Sequence, residues 1–218
     1  MKTLIRLALA VLVALPGTAL RSESLDKLIP DAAEILGRMK REDIINMDLV
    51  KEAKGIVILN VTGFSIGIGG SGGDGILMSK TEKGWSGPVA ITTQGGTLGI
   101  DVGGQDNDIV ILLMNNGVVS RWAAGEHFSS SSASAVLGPK GGAAVDATMK
   151  TRDFNVYIWN KGAKLGVNFG GFDVSINNEA NANYYDKPLV SAKDILNNVA
   201  EVPESKKAPM ARVYDLLK

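Results

Sequence analysis

Residues 55–104 read GIVILNVTGFSIGIGGSGGDGILMSKTEKGWSGPVAITTQGGTLGIDVGG, and glycine interrupts this stretch throughout. Short runs rich in β-branched residues alternate with glycine clusters at intervals of roughly ten residues. β-branched side chains fit a pleated sheet, whereas glycines allow tight turns and a close approach between backbones. The pattern predicts short antiparallel strands at 56–59, 64–68, 75–79, 88–93 and 97–102.

Downstream of this stretch, strand patterns return several times. Residues 109–114 form an almost continuously apolar run, which is typical of a central strand covered on both faces. The preceding Asp-Asn-Asp sequence at 106–108 predicts a turn. Residues 154–159 alternate between apolar and polar positions, and further strand patterns lie at 135–137 and 172–176.

Helical patterns lie mainly at the two ends of the chain. Pro30 precedes Asp31, and Asp31 and Glu34 have the spacing of a capping box, which predicts that the first helix begins at this point. Other short helices are predicted at 48–54, 118–124, 177–183 and 191–196. We therefore predict one α+β domain, in which a glycine-rich, mostly antiparallel β-sheet (curled, sandwich-like or barrel-like) is flanked by short helices.

The first nineteen residues predict an export signal. Lys2 and Arg6 form a positive start, residues 7–15 form an apolar core, and small residues at Gly17 and Ala19 suit a cleavage site. The apolar run is shorter than the ~20 residues that a membrane span needs. We expect cleavage after about Ala19, export to the periplasm or the extracellular space of a bacterium, and no transmembrane helix in the mature chain.

Charge and cysteine content exclude several classes of function. The 23 Lys and Arg residues equal the 23 Asp and Glu residues in number, so the chain has no overall basic charge for binding nucleic acid. The chain contains no cysteine, which excludes disulfides, thiol nucleophiles and thiolate metal sites.

A formal GxGxxG motif occurs at Gly67, Gly69 and Gly72. A dinucleotide-binding turn has to open a helix, because the helix N-terminus holds the pyrophosphate. The residues that follow, 74–80, predict another strand instead. We expect no nucleotide cofactor at this motif.

Asp101, Asp106 and Asp108 are the carboxylates that would suit calcium best, but they lack the loop spacing of an EF-hand. Turn-forming aspartates are far commoner than calcium ligands of this kind, so we expect no metal site.

His127 is the one histidine, and four serines follow it at 129–132. A serine hydrolase needs its nucleophile on a strained turn and its base oriented by a third group. The sequence has no GxSxG motif, so a hydrolase that uses His127 and a nearby serine is a remote alternative, and we expect no catalytic residues.

Arg38, Lys40 and Arg41 gather at the C-terminal end of the first predicted helix, where cations complement the helix dipole. Cationic helix faces also settle on anionic lipid. The surrounding segment, 20–54, holds seven basic and eight acidic side chains, so it is not basic overall. Both interpretations, a solvated helix end and a lipid head-group site, stay open at this point.

The order of motifs along the chain resembles the SYLF-domain family. Ten segments carry this resemblance: AKGIVIL (53–59), GFSIG (63–67), GGDG (72–75), GWSGP (84–88), GIDVG (99–103), DIVILLM (108–114), VLGP (136–139), KGAKLG (161–166), GFDV (171–174) and NANYY (181–185). The resemblance implies a SYLF-like domain at 31–200, after a signal peptide at 1–19 and a helical segment at 20–55. A tail at 201–218, which can end in a helix, follows the domain.

The resemblance also implies the function. Eukaryotic members of the family bind phosphoinositides, fungal members also bind actin, and bacterial members are typically exported single-domain proteins. It implies a non-enzymatic phospholipid-binding protein of the bacterial envelope, with Arg38, Lys40 and Arg41 as candidate head-group cations. Actin is not expected as a partner of an exported protein. The alternative is a structural or protein-interaction module that binds another envelope protein.

Overall fold

The computed structural model describes residues 23–66, 68–95, 103–128, 133–137, 152–160 and 172–218. The predicted signal peptide, Gly67, the strand predicted at 97–102 and the serines at 129–132 lie outside these residues.

Within the described residues the protein has six α-helices and nine β-strands. The helices are α1 (Leu25–Arg41), α2 (Met47–Glu52), α3 (Asn116–Ala123), α4 (Asn178–Tyr185), α5 (Ala192–Leu196) and α6 (Lys207–Leu216), which a 3₁₀ turn at Glu204–Lys206 precedes. The strands are β1 (Gly55–Ile66), β2 (Ile68–Thr81), β3 (Gly84–Trp85), β4 (Val89–Gly95), β5 (Gly103–Leu113), β6 (His127–Phe128), β7 (Ala133–Leu137), β8 (Phe154–Asn160) and β9 (Phe172–Ile176).

The described strands form one sheet in the order β6-β9-β4-β2-β1-β5-β8-β7, and the short β3 pairs with β2. Every pairing is antiparallel except that of β7 with β8, which is parallel. Over the residues that the structure describes, the sheet is open and not closed into a barrel. The prediction of an α+β fold with a mostly antiparallel sheet is therefore confirmed.

The glycine-rich strands are longer than the sequence pattern predicts. β1 is continuous where two strands were expected, and it pairs with β2 without a break from Gly55↔Ser79 to Ile66↔Ile68. The glycines of β2 lie inside the ladder and do not mark its turns. A Cβ atom on Gly75 would lie 2.1 Å from the carbonyl oxygen of Ile58, so this position requires a residue without a side chain.

The predicted start of the first helix is wrong by six residues. α1 begins at Leu25 and contains Pro30 in its interior. Leu25 and Ile29 extend the apolar face of the helix toward its N-terminus, and both are fully buried. Their burial outweighs the one intrahelical hydrogen bond that a proline cannot donate.

The turn predicted at 106–108 is also wrong, because these residues belong to β5. Asn107 and Asp108 pair with β1 on one side and with β8 on the other. Short polar residues favour turns locally, but here strand pairing on both sides prevails.

The helices lie on both faces of the sheet. Arg38 of α1 contacts Asp108, which pairs with Asn60 of β1. A Cβ atom on Gly55 would touch Val119 of α3. Because residues 55 and 60 of one strand point to opposite faces, α1 and α3 cover opposite sides of the sheet.

The C-terminal helix α6 lies beside α1. Lys206 forms an ion pair with Asp26 near the start of α1 (2.6 Å), and Lys40 near its end reaches the carbonyl oxygen of Leu216 (3.4 Å). The two helices therefore run in the same direction. Met210 of α6 is fully buried, so this end of the chain is part of the core.

Candidate functional site

A row of polar side chains crosses the sheet beneath α1. Trp159, Asp108, Asn60, Asp74 and Thr92 are paired in register on β8, β5, β1, β2 and β4. Residues in this row bond to one another: the Asn60 amide donates to Asp108 (2.9 Å), and the Thr92 hydroxyl donates to Asp74 (2.8 Å). The row marks where the apolar part of this face ends.

Arg38 connects α1 to this row. Its guanidinium donates to the carboxylate of Asp108, which is only 1% exposed, and to Glu34 at 2.6 Å. The same guanidinium lies over the indole ring of Trp159, 4.3 Å from the ring centroid. The Arg38 side chain is 16% exposed, so its positive charge interacts mainly with other groups of the protein and little with solvent.

The other two predicted head-group cations are placed differently. Lys40 and Arg41 are exposed at the end of α1. Glu42 follows them and accepts a hydrogen bond from the Trp159 indole N–H at 2.8 Å. The three residues thus do not form one free cationic patch, and their role in head-group binding stays a prediction.

The other sequence candidates have the following places. Gly69 and Gly72 lie within β2, paired with β1. The residues that follow them continue this strand and do not open a helix. The backbone of His127 lies in β6 opposite Asp173, whereas the neighbouring serines lie outside the described residues. Among the residues that the structure describes, no group of three or more His, Asp or Glu side chains could hold a metal ion.

A cleft of about 1010 Å³ lies on the face of the sheet that α3 covers. Four lysines line it, namely Lys51, Lys54, Lys80 and Lys193, and we call it the lysine cleft. Glu82 is the acidic residue in its wall. Asn116, Ser120, Thr81 and Asn197 add polar groups, and Val119, Ala123, Ala124 and Leu196 add apolar surface.

Backbone pairing fixes the floor of the lysine cleft. The amide of Lys54 donates to the carbonyl oxygen of Leu113, and the amide of Lys80 donates to that of Lys54, both at 2.8 Å. The buried Ser79 hydroxyl donates to the carbonyl oxygen of Leu196 and so holds the end of α5 against β2. The walls are therefore connected directly to the sheet.

The four ammonium groups differ in what they contact. Lys51 pairs with Asp48 (3.0 Å) on the exposed surface of α2. Lys80 donates to the carbonyl oxygen of Lys51 (2.6 Å) and lies 5.6 Å from the ring centroid of Trp85. In the described part of the chain, Lys54 and Lys193 are exposed and take part in no ion pair.

Sequence reasoning missed the lysine cleft. Its lysines lie in three separate parts of the sequence, at 51 and 54, at 80 and at 193, so no single spacing or charge run brings them together. Only Lys51 and Lys54 are neighbours in sequence, at the end of a helix where cations are ordinary.

Two large apolar side chains are exposed at the ends of α5. Leu189 is 95% exposed in the loop before this helix, and Val199 is 70% exposed in the loop after it. Lys187 and Lys193 are exposed in the same segment. Within the described residues, no helix is both long enough and apolar enough to cross a membrane.

Comparison with protein families agrees with the resemblance seen in the sequence. The family model described as "Ysc84: Las17-binding protein actin regulator" matches residues 94–218, which is more than half of the chain. The chain belongs to this family. The SYLF resemblance is thereby confirmed. The matched residues include α3 and α5, which form two walls of the lysine cleft.

Individual members of the Ysc84 family are similar along most of the chain. SH3 domain-containing YSC84-like protein 1 of Rattus norvegicus is 26% identical over 196 residues, covering 88% of this chain and 56% of the rat protein. The human protein of the same name is 28% identical over 175 residues, covering 78% and 51%. Protein YSC84 of Saccharomyces cerevisiae is 28% identical over 180 residues, covering 80% and 38%. The chain thus spans about half the length of the curated relatives that it matches, or less.

Proposed function

We propose that this protein is a non-enzymatic, peripheral phospholipid-binding protein that acts at the bacterial cell envelope after export. Its family relationship supports a binding function and names no reaction. The observation that carries the proposal is the exposure of Leu189 and Val199 at the two ends of α5, beside Lys187 and Lys193.

These side chains have the chemistry of a shallow membrane contact. Full burial of one large aliphatic side chain contributes about 2 kcal/mol, and each lysine near an anionic membrane surface contributes about 1 kcal/mol. Two aliphatic side chains and two lysines together contribute about 6 kcal/mol, which corresponds to a dissociation constant of roughly 40 μM, and neither pair alone reaches this affinity. The occupant of this surface is therefore an anionic phospholipid layer, in which aliphatic side chains enter the interface while ammonium groups meet phosphates.

Co-sedimentation with vesicles tests the proposal. The mature protein, residues 20–218, is mixed with phosphatidylcholine vesicles and with vesicles that also contain phosphatidylglycerol, at low and high salt. We expect binding to the anionic vesicles that weakens in salt, because ion pairing at an exposed surface is screened. The double variant Leu189→Ser/Val199→Ser should lose most of this binding while it keeps the wild-type circular dichroism spectrum.

The outcome that would contradict the proposed surface is equal binding of this double variant and the wild type. The Lys83→Gln variant is the control for the effect of replacing an exposed residue elsewhere on the protein. Lys83 lies in the turn between β2 and β3, outside the α5 segment. Absence of binding to every vesicle would overturn the phospholipid proposal itself.

A protein-interaction module is the second candidate function, and the family description favours it. That description names Las17 binding and actin regulation, both of which concern protein partners. For an exported protein, the partner would be another envelope protein and not actin. Recovery of one stoichiometric envelope partner, with a yield that does not depend on lipid, would support this function.

The remote hydrolase alternative has its own test. An unchanged hydrolytic rate in a His127→Ala variant, on any substrate found, would exclude it.

A further inference from the structure

We infer that the lysine cleft is a binding site for a phosphomonoester, a ligand that carries a dianionic phosphate on a small organic group. This inference goes beyond the proposed membrane contact, because a cleft of this kind can bind a dissolved ligand. The phosphate can belong to a soluble ester or to a lipid head group, and the two sources share the same chemistry in the cleft.

Charge is the first argument. Lys51, Lys54, Lys80 and Lys193 come from α2, from the residue just before β1, from β2 and from α5, yet they line one cleft. Like charges around a shared space repel one another, and a bound anion removes that repulsion. Glu82 supplies one carboxylate in the lining and Asp48 pairs with Lys51, so two of the four ammonium charges remain uncompensated and the lining is cationic.

The state of the individual lysines is the second argument. Lys80 is oriented by the carbonyl oxygen of Lys51 and by the ring of Trp85, so its ammonium group is partly preorganised. Lys54 and Lys193 are exposed and make no ion pair with the described residues, which leaves their donors available to a ligand. Lysine binds phosphate as a point charge, and a dianion gains more from several such charges than a monoanion does.

The volume and the lining of the lysine cleft indicate which organic group the phosphate carries. A volume of about 1010 Å³ is at the upper end of the range for small-molecule sites and far exceeds one phosphate ion. Val119, Ala123 and Leu196 form apolar wall surface, while Ser120 and Asn197 offer hydrogen bonds. An ester with a short polyol or glycerol moiety fits both kinds of surface.

Isothermal titration calorimetry with glycerol 3-phosphate tests the inference on the purified protein. We expect saturable binding of glycerol 3-phosphate and weaker binding of succinate, which carries two charges on separate carboxylates. Lys54→Gln and Lys193→Gln should each weaken binding about tenfold, the effect of removing one charge-assisted hydrogen bond. Lys207→Gln and Lys218→Gln are matched controls, because Lys207 begins α6 and Lys218 follows its end, both outside the cleft lining, where they pair with Glu204 and Asp215.

Binding to lipid vesicles distinguishes the two sources of the phosphate, a lipid head group and a soluble ester. If the ligand is a lipid, vesicles with phosphatidic acid bind more tightly than vesicles with phosphatidylglycerol at equal surface charge, and glycerol 3-phosphate competes. If the ligand is a soluble ester, glycerol 3-phosphate binds, and Lys54→Gln does not change the vesicle affinity. The calorimetric arm contains no membrane, so it can succeed even if the proposed membrane contact fails. Equal affinity for succinate, or equal affinity of the Lys54→Gln, Lys193→Gln and wild-type proteins for glycerol 3-phosphate, would overturn the inference.

Discussion

The guanidinium of Arg38 on α1 donates to the buried carboxylate of Asp108 on β5, and this ion pair connects the longest of the described helices to the middle of the sheet. Asp108 also accepts from Asn60, and Trp159 lies under the guanidinium. A charge buried in this way is stable only while its partner stays in place. Arg38 therefore contributes to the fold, whatever it contributes to binding.

Replacement of Arg38 by Met should lower the free energy of unfolding by about 3 kcal/mol, because the carboxylate of Asp108 would remain buried without its cation. Chemical denaturation measures this change. Arg41→Met removes an exposed cation three residues further along the same helix and should cost less than about 0.5 kcal/mol. Equal stability of the two variants would show that the ion pair contributes little.

The Arg38–Asp108 pair also shows why the sequence predicted the strands better than the sites. The residues next to Asp108 in sequence predict a turn. Its carboxylate can be buried in a strand because Arg38, 70 positions earlier in the chain, supplies the compensating positive charge. The apolar runs and glycine clusters predict strands because their signal is local. The lysine cleft has no local signal, since its residues meet only after α2, β2, α3 and α5 have packed together.

The glycines of β2 should differ sharply in their tolerance of alanine. A Cβ atom on Gly75 would meet the Ile58 carbonyl oxygen at 2.1 Å, whereas one on Gly72 has its nearest neighbour, the Thr93 carbonyl oxygen, at 3.5 Å. We expect Gly75→Ala to cost about 3 kcal/mol of unfolding free energy and Gly72→Ala less than about 1 kcal/mol. Thermal unfolding of the two variants in parallel measures the difference. Similar midpoints would argue against the close approach of β1 and β2 at Gly75.

The protein should lose stability in alkali through its tyrosines. Burial raises the pKa of Tyr157 to about 12, and it also raises the pKa values of Tyr184, Tyr185 and Tyr214. These four are all the tyrosines of the chain. Above the ordinary pKa of about 10, the unfolded chain releases these protons while the folded protein keeps them, so the free energy of unfolding falls as the pH rises.

Titration of the phenolate absorbance checks this prediction. In denaturant the four tyrosines should ionise together near pH 10. In the folded protein, ionisation should be delayed to higher pH and should coincide with the loss of tertiary structure. A native titration with its midpoint near pH 10 and no unfolding would contradict the burial of these side chains.

Charge reversal at the end of α1 tests the head-group role predicted for Lys40 and Arg41 without disturbing the ion pair of Arg38. Lys40→Glu/Arg41→Glu should weaken binding to anionic vesicles at low salt by at least about tenfold, because each cation at the membrane surface contributes about 1 kcal/mol. Lys83→Glu/Lys207→Glu changes the net charge equally at two other places, the turn between β2 and β3 and the start of α6, and serves as the control. A specific contact predicts a loss only in the first variant, whereas equal losses in both would show that overall charge alone drives the attraction. No loss in the first variant would remove this helix end from the membrane contact and leave the α5 segment, with Leu189 and Val199, as the surface that binds.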